Sequence, residues 1–395
     1  MLDVEALRSE FPALSSSQIF VDGPAGTQVP SRVINAVTDA LMRSMSNVGG
    51  DFPSSRRSET TVAAARTAAS DLLGGRPDEM VFGPNMTSLT FSFSRALAQD
   101  WKPGDRVVLS GHDHDANVTP WVRAAASVGA ETVLADVNSD ATLDVEHLVS
   151  LIDEQTRLVA VTACSNAFGS LVDLGPIIAA ARRVGALTYV DAVHFAPHRF
   201  IDVNAIGCDF LVVSSYKFFG PHLGVLWARR EHLDRLPAFK VRPAPDVGPA
   251  RWETGTPPFE LLAGFTAAVD YLASLGWGGH RRGALEAAFR EISSYEASLG
   301  RRFLNGLPEG VRVVGPETPE RRVPTFSIEV EGLAAAEVSK RLGGRRVAVW
   351  AGHHYALEPM MRLGYLDKGG LTRIGFLHLN TPAEVDAELA ALSAL

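Results

Sequence analysis

From about residue 60, alanine-rich helical segments alternate with short runs of apolar and β-branched residues, and this alternation limits the possible folds more than any other feature. The runs lie at residues 106–109, 131–134, 158–162, 186–190 and 210–213. Continuously apolar strands separated by helices are typical of a parallel sheet covered by helices on both faces. Ligands of such sheets bind beyond the carboxyl ends of the strands. The sequence therefore predicts an α/β fold with its functional site at that edge.

A second, smaller domain is predicted after this sheet. Between residues 243 and 258, five prolines and two glycines interrupt the apolar pattern, and a long helical stretch begins near Leu261. The 395 residues of the chain are enough for two domains. We therefore expect a large domain at residues 16–260 and a small domain formed by residues 1–15 and 261–395.

Composition and charge argue against several classes of protein. The formal net charge is −8 and basic residues occur at most in adjacent pairs, so nucleic-acid binding is not expected. No apolar stretch approaches the ~20 residues that span a bilayer, and the first residues lack the pattern of a signal peptide, so neither membrane insertion nor export is expected. Cys164 and Cys208 are too few for a disulfide framework or a four-thiolate metal site. A cytoplasmic protein without a metal centre is the expectation.

Lys217 stands in an unusual context for a lysine. It closely follows the apolar run 210–213 and is flanked by Tyr216, Phe218 and Phe219. Burial lowers the pKa of a primary amine and makes it a nucleophile near neutral pH, and such a lysine commonly forms a Schiff base with a carbonyl cofactor.

Asp191 ends the preceding apolar run, 186–190. A carboxylate at this place pairs with a protonated pyridine nitrogen and keeps the ring of pyridoxal phosphate an electron sink. Taken alone, Asp191 is better explained by a loop cap and Lys217 by a side chain extending to solvent. Their joint position at two strand ends favours a site for pyridoxal 5'-phosphate.

The chain resembles the class V aminotransferase family of fold-type I pyridoxal phosphate enzymes, most closely the cysteine desulfurase and selenocysteine lyase branch. The resemblance rests on residues 83–88, 113–121, 165–166, 189–194, 214–221, 252–257, 352–356 and 373–381. It implies a large domain with a mostly parallel seven-stranded sheet between helices and a smaller α+β C-terminal domain. It also implies a homodimer whose active site is shared across the interface, acting on an amino-acid substrate.

The resemblance further implies roles for single residues around the cofactor ring. Lys217 would form the Schiff base and then move the α-proton of the substrate, and Asp191 would hold the pyridinium. His114 would stack on the ring and relay protons, and Asn166 would approach the phenolic oxygen. His114 and Asn166 are also open to a simpler interpretation, as capping or buried structural polar residues.

The cofactor phosphate needs several donors and is favoured by a helix N-terminus. Met86 and Thr87 precede a helical segment and supply a backbone N–H and a hydroxyl, and Ser214 supplies a second hydroxyl. Tyr216 is a further candidate contact of the cofactor. In the family, a threonine of the partner subunit completes the phosphate site, and Thr256 occupies that motif position.

Arg373 is the single charge in the strand-like run 371–376. A guanidinium binds a planar carboxylate through two hydrogen bonds, so Arg373 is the candidate clamp for the α-carboxylate, with Asn166 as a second substrate contact. A salt bridge at the protein rim is the alternative. Other residues of the pocket, inferred only from their neighbourhood to motifs, are Ala25, Phe52, Arg56 and Trp350.

Two departures from the family pattern bear on the reaction. The loop that carries the persulfide cysteine in desulfurases has Tyr355 near the position of the thiol, and a phenol cannot carry a persulfide. We expect Cys164 and Cys208 to be buried, protonated and inert. His194 stands where the family places a glutamine that hydrogen-bonds the phenolic oxygen, and imidazole can donate the same bond but also titrates.

The expected activity is that of a desulfurase-like carbon–sulfur lyase, with Tyr355 as a candidate acid toward the leaving group. An amino-acid epimerase or aminotransferase is the alternative within enzymes, because the same first steps lead to all three outcomes. A cofactor-binding protein without catalysis is the alternative outside enzymes.

Overall fold

The centre of the protein is a seven-stranded sheet in the order β2-β8-β7-β6-β5-β3-β4, seen in a computed structural model that describes residues 2–395. Its strands are β2 (Met80–Gly83), β3 (Arg106–Ser110), β4 (Glu131–Ala135), β5 (Thr156–Thr162), β6 (Leu187–Asp191), β7 (Phe210–Ser214) and β8 (Gly224–Ala228). β3 to β7 pair in parallel, whereas β8 runs antiparallel to both of its neighbours. The prediction of a mostly parallel seven-stranded sheet is confirmed.

Helices cover both faces of this sheet. The α-helices are α1 (Val4–Arg8), α2 (Ser31–Arg43), α3 (Pro53–Leu73), α4 (Met86–Leu97), α5 (Thr119–Val128), α6 (Val145–Ser150), α7 (Leu174–Val184), α8 (Val203–Ile206), α9 (Arg230–Arg235), α10 (Phe259–Ser274), α11 (Arg281–Asn305), α12 (Ala335–Gly344), α13 (Leu357–Arg362) and α14 (Pro382–Ser393). Val107 packs on the face that α4 and α5 cover, and its neighbour Val108 packs on the face that α3, α7 and α10 cover. This double burial explains why the strands read as continuously apolar.

A second, antiparallel sheet has the order β12-β13-β10-β9. Its strands are β9 (Val311–Val314), β10 (Thr325–Val330), β12 (Trp350–Gly352) and β13 (Leu371–Gly375). Phe326, Ile328 and Ile374 of this sheet form a hydrophobic core with Leu299 and Phe303 of α11. The sheet places one edge, β12 and β13, beside the first sheet's carboxyl end.

The two ends of the chain meet in this second layer. β1 (Ile19–Phe20) pairs in parallel with β11 (Val347–Ala348), and Arg8 of α1 forms an ion pair with Glu384 of α14. α10 packs against α2 and α3. The domain division at residue 260 stays a prediction.

The last helix begins where the capping-box spacing predicts. The Thr381 hydroxyl accepts a hydrogen bond from the Glu384 N–H at 3.1 Å, and the Glu384 carboxylate accepts one from the Thr381 N–H at 3.0 Å. Pro382 occupies the first position of α14. The prediction for this helix start is confirmed, because the signal is local and needs no distant partner.

Candidate active site

A cavity of about 810 Å³ opens at the carboxyl ends of β5, β6 and β7, beside β12 and β13. Eleven of the twelve predicted site residues line it: Met86, Thr87, His114, Asn166, Asp191, His194, Ser214, Tyr216, Lys217, Tyr355 and Arg373. Thr256 does not line the cavity and lies exposed in the loop before α10. Of the residues inferred from motif neighbourhood, Ala25 and Trp350 line the cavity, whereas Phe52 and Arg56 do not.

Lys217 reaches the cavity because a short 3-10 turn, Ser215–Lys217, follows directly on β7. Its Nζ donates hydrogen bonds to the carbonyl oxygens of Pro24 at 2.5 Å and Ala25 at 3.1 Å. The same atom lies 4.6 Å from the centroid of the Tyr216 ring. Burial, assisted by the positive charge of Arg373, lowers the pKa of Lys217 to about 7. A substantial fraction of this amine is therefore unprotonated and nucleophilic at neutral pH.

Asp191 is the last residue of β6 and is buried. Its Oδ1 accepts a hydrogen bond from the Val193 N–H at 2.8 Å, while Oδ2 has no hydrogen-bond partner among residues 2–395. Burial raises the pKa of Asp191 to about 6, opposed by the Val193 hydrogen bond and by the positive charge of Lys217. This carboxylate offers one oxygen to a cationic N–H donor in the cavity.

His114 caps a short 3-10 helix, Asp115–Asn117, and so its capping interpretation is confirmed. The same side chain lines the cavity. Nδ1 accepts a hydrogen bond from the Ala116 N–H at 3.0 Å, which leaves Nε2 as the donor of the neutral ring. Burial and the positive charge of Lys217 lower the pKa of His114 to about 4. A neutral, flat ring is thus presented to the cavity.

α4 begins at Met86, and the first residues of this helix line the cavity. The Asn85 side chain caps the helix by accepting from the Ser88 N–H at 2.9 Å, and the Met86 N–H donates to Ser214 Oγ at 3.1 Å. Gly224 of β8 permits this approach, because a Cβ there would lie 2.4 Å from the backbone carbon of Asn85. A helix N-terminus with adjacent hydroxyl groups fits a phosphate.

Arg373 lies within β13 and is only 6% exposed. Its Nη1 donates to the carbonyl oxygen of Asn166 at 2.8 Å, and no carboxylate among residues 2–395 lies within ion-pair distance of its guanidinium. The alternative of a salt bridge at the rim is therefore wrong, because the side chain is buried and lacks that partner. Burial lowers the pKa of Arg373 to about 10, and the charge of Asp22 opposes this shift. A buried guanidinium of this kind fits the carboxylate of a ligand.

The loop after β12 holds Tyr355 at the mouth of the cavity. The carbonyl oxygen of Tyr355 accepts from the Asp115 N–H at 2.7 Å, and that of His354 accepts from Asn166 Nδ2 at 2.8 Å. The Tyr355 ring stacks on the His114 ring with centroids 5.4 Å apart. Both loop residues adopt a left-handed backbone, with φ of 51° at His354 and 56° at Tyr355. These contacts hold the loop in one defined conformation.

Asn166 is partly committed to this loop. Its amide nitrogen donates to His354, and its buried Oδ1 has no hydrogen-bond partner among residues 2–395. An acceptor oxygen left in this state favours a donor from a ligand in the cavity. The amide nitrogen keeps a second N–H beside the one donated to His354, and the predicted approach of Asn166 to a phenolic oxygen stays a prediction.

The two cysteines are free thiols in the protein interior. Cys164 borders the cavity but is buried, and its Sγ donates to the carbonyl oxygen of Gly169 at 3.4 Å. Burial raises the pKa of Cys164 and of Cys208 to about 12. The prediction that both are buried is confirmed, and the raised pKa favours the protonated thiol.

Sequence reasoning missed several lining residues, among them Asn85, Thr162, His222 and His353. His222 stacks on Tyr216 with ring centroids 4.9 Å apart, and Thr162 ends β5 beside Asp191. The position of Thr162 at a strand end was a usable signal. The contact of His222 depends on the return of β8 and has no local sequence signature.

Residues 19–387 match the family described as Aminotransferase class-V, and the chain belongs to this family. An uncharacterized protein of Mycobacterium tuberculosis, MT3887, is 33% identical, with 100% of this chain and 99% of that protein covered. A protein of Mycobacterium leprae named probable cysteine desulfurase 2 is 30% identical, with 99% and 96% covered. The apo structure of a cysteine desulfurase from Thermococcus onnurineus NA1 has a TM-score of 0.91 at 26% identity, with 100% of this chain and 98% of that chain covered. The fold-type I prediction is confirmed.

Proposed function

We propose that the protein is a pyridoxal phosphate enzyme that cleaves a carbon–sulfur bond in the side chain of an amino acid. Membership of the class V family and the likeness to proteins named cysteine desulfurase support the reaction class. The observation that carries the proposal is the grouping of Lys217, Asp191 and Arg373 around one cavity, with the pKa of the lysine near neutrality. When bound, the cofactor supplies an electron sink for the negative charge that develops at the substrate α-carbon.

The cavity residues fit this cofactor. Lys217 would hold its aldehyde, and the unpartnered Oδ2 of Asp191 would accept from its ring N–H. The neutral ring of His114 would pack against it. The N-terminus of α4 and nearby side chains bind the phosphate, namely Met86 and Thr87 with Ser214, while His194, Asn166 and Tyr216 line the remaining walls.

Residues of the cavity wall bind the substrate and move its protons. Arg373 binds the α-carboxylate and fixes the orientation of the substrate, with the side chain of Asn166 beside it. The Lys217 amine would remove the α-proton of the substrate. The Tyr355 phenol donates a proton to the departing sulfur.

The absence of a cysteine on the Tyr355 loop defines the products. Because the buried thiols of Cys164 and Cys208 are protonated, no residue of this cavity stores sulfur as a persulfide. The sulfur therefore leaves as a thiol or sulfide that keeps the electron pair of the broken bond. One water is consumed, and the remaining carbon skeleton is released as a keto acid and ammonia.

The active enzyme is a homodimer with shared sites. The outer face of α2 and the segment after it expose large apolar side chains, namely Ile34, Leu41, Met42, Met45, Val48 and Phe52. An apolar patch of this kind is typical of a protein interface. Thr256 is exposed outside its own cavity, which leaves it available to the phosphate site of the partner subunit.

We further propose a cytoplasmic location for the protein. The two unpaired cysteines fit a reducing cytoplasm. Within residues 2–395, no helix combines the length and apolar character that crossing a bilayer requires. The same residues contain no cluster of three or more metal-ligating side chains.

The test is a panel of amino acids carrying sulfur on the β-carbon, with the reconstituted enzyme. We expect a keto acid, ammonia and a free thiol in equal amounts. Loss of optical rotation with deuterium uptake at the α-carbon would instead indicate an epimerase, and accumulation of the amine form of the cofactor would indicate an aminotransferase. Lys217→Ala should abolish product release, and Lys102→Ala, which changes an exposed lysine, should not. Unchanged cellular function with Lys217→Ala would favour the non-catalytic alternative.

A further inference from the structure

His194 is the one buried histidine of the cavity wall that has a hydroxyl partner. Its Nε2 lies 3.0 Å from Oγ1 of Thr325, at the start of β10. Its Nδ1 has no hydrogen-bond partner among residues 2–395. Since His194 lines the cavity, Nδ1 is the nitrogen that remains for a ligand.

The Thr325 hydroxyl decides which nitrogen carries the proton. A neutral imidazole has one donor and one acceptor, so Nε2 either donates to Thr325 or accepts from it. Thr325 is fully buried, and His194 is the only hydrogen-bond partner of its hydroxyl among the described residues 2–395. If Nε2 donated, the hydroxyl hydrogen would be buried without an acceptor, which carries a desolvation penalty. The favourable arrangement has the hydroxyl donating to Nε2.

A second group fixes the plane of the His194 ring. The ring of His198 packs against it nearly at right angles, with centroids 5.3 Å apart. His198 Nδ1 is 2.7 Å from Oε2 of Glu296 on α11. The other oxygen of that carboxylate accepts a hydrogen bond from the backbone N–H of His378 at 3.0 Å. All three side chains are buried. His194 is therefore held by Thr325 at one nitrogen and by the ordered His198 ring at its side.

We propose that Thr325 is a positioning residue that holds His194 in the tautomer with the proton on Nδ1, so that His194 presents a fixed N–H donor to the cavity. This deepens the proposed function, because the ligand group that such a donor would meet is the phenolic oxygen of the cofactor. Burial, with the nearby charges of His198, Arg373 and Lys217, lowers the pKa of His194 well below its usual value, which keeps the ring neutral. A neutral imidazole held this way offers the single donor that an amide side chain would offer.

The tautomer can be measured without any cofactor. Two-bond proton–nitrogen NMR spectra of the protein labelled with ¹⁵N-histidine distinguish the two tautomers, and the signals of His194 are assigned by their loss in His194→Gln. We expect the wild-type protein to show the Nδ1–H form. A wild-type spectrum with the proton on Nε2 would overturn the proposal, and this outcome needs no variant to fold.

Two substitutions of Thr325 separate the effect of its hydroxyl group from the effect of its side-chain volume. Thr325→Val keeps the volume and removes the donor, so we expect a mixture of tautomers, whereas Thr325→Ser should keep the Nδ1–H form. Thr372→Val is the matched control, because Thr372 is buried on the neighbouring strand and bonds to the Ala335 carbonyl instead. A Thr325→Val protein with the wild-type His194 signals would contradict the role of the hydroxyl.

Cofactor binding gives an independent readout. With Thr325→Val we expect pyridoxal phosphate affinity to fall roughly fivefold, the effect of one weakened hydrogen bond. We also expect the pH midpoint of the visible absorbance to rise, because a fixed donor stabilises the negative phenolic oxygen. Equal affinity and an equal midpoint in Thr325→Val and wild type would overturn the link to the cofactor. A wild-type protein that never develops this absorbance would refute the proposed function, while the NMR result on the tautomer would stand separately.

Discussion

Lys217, Asp191 and Arg373 are the charged side chains of the cavity wall, and burial shifts the pKa of each. Burial disfavours both cations, and the charge of Arg373 adds to the effect on Lys217. The carboxylate of Asp191 opposes that shift. The nucleophilicity of the lysine is therefore coupled to the residue proposed to bind the substrate carboxylate.

Arg373→Met should raise the pKa of Lys217 above about 7, because a nearby positive charge is removed. This shift is measured in the cofactor-free protein with a small amine-reactive reagent. Mass spectrometry follows how the modification of Lys217 depends on pH. Substrate affinity should also fall about 30-fold or more, since the substrate carboxylate loses the buried guanidinium that is proposed to bind it. Arg312→Met, which changes an exposed arginine of β9, is the control. An unchanged modification profile would contradict the coupling.

Tyr355→Phe keeps the ring that stacks on His114 and removes only the hydroxyl. If the phenol is the acid toward the leaving sulfur, turnover should fall about 10²-fold or more, with cofactor and substrate affinity unchanged. Steady-state kinetics and binding titrations separate these effects. Tyr365→Phe, which removes a hydroxyl bonded to Arg312 outside the cavity, should be silent. Unchanged turnover in Tyr355→Phe would exclude this role.

At the scale of elements, strands and helix starts with local signals were predictable. The apolar runs correspond to β3 to β7, and a capping box marks α14. The strand-like run 371–376 corresponds to β13. The pairing of β1 with β11 and the strand β12 were not predictable, because β1, β11 and β12 are only two or three residues long. The contact of His194 with Thr325 joins residues 131 apart in the chain, and only the folded structure brings them together.

Helix α14 buries a carboxyl group that has no hydrogen-bond partner in the described part of the chain. Glu388 is fully buried, and neither carboxylate oxygen has a hydrogen-bond partner in the described part of the chain, residues 2–395. Burial raises the pKa of Glu388 to about 8 from an ordinary value of 4.5. Because the folded-state pKa is raised, the protein is destabilised relative to an uncharged variant as the pH rises from 4.5 through 8.

Glu388→Leu should therefore stabilise the protein, by about 1–3 kcal/mol from removal of the unsatisfied oxygens alone. The gain should grow between pH 5 and pH 8, since the unfolded state of the wild type ionises in this range while the folded state stays protonated. Urea unfolding at both pH values measures it. Glu337→Leu, on the exposed side of α12, is the control. A stability difference that is equal at both pH values would contradict the assigned pKa.

At the scale of the whole molecule, the proposed dimer links a surface to the site. The apolar patch on α2 lies outside the cavity, and Thr256 has no role in the cavity of its own chain. If the partner subunit completes the phosphate site, assembly and cofactor binding must fail together. A charged residue introduced on α2 tests whether assembly and cofactor binding are coupled, and it leaves every cavity residue unchanged.

Met42→Glu should convert the proposed dimer to a species with the mass of one chain, 42.3 kDa, because Met42 is 69% exposed and belongs to the α2 patch. Cofactor affinity should fall in parallel. Sedimentation analysis and absorbance titration measure the two effects. Trp277→Glu, at an 84% exposed apolar residue between α10 and α11, should leave both unchanged. A wild-type protein that sediments as one chain would contradict the shared site.

The proposed reaction depends on the covalent attachment of pyridoxal phosphate to Lys217. Borohydride reduction of the protein saturated with this aldehyde, followed by peptide mass spectrometry, tests it most directly, because reduction makes an imine bond permanent at the amine that formed it. We expect one pyridoxyl group per chain, at Lys217 and absent from Lys217→Ala. An unlabelled Lys217, or an equal label at exposed lysines such as Lys102, would contradict it.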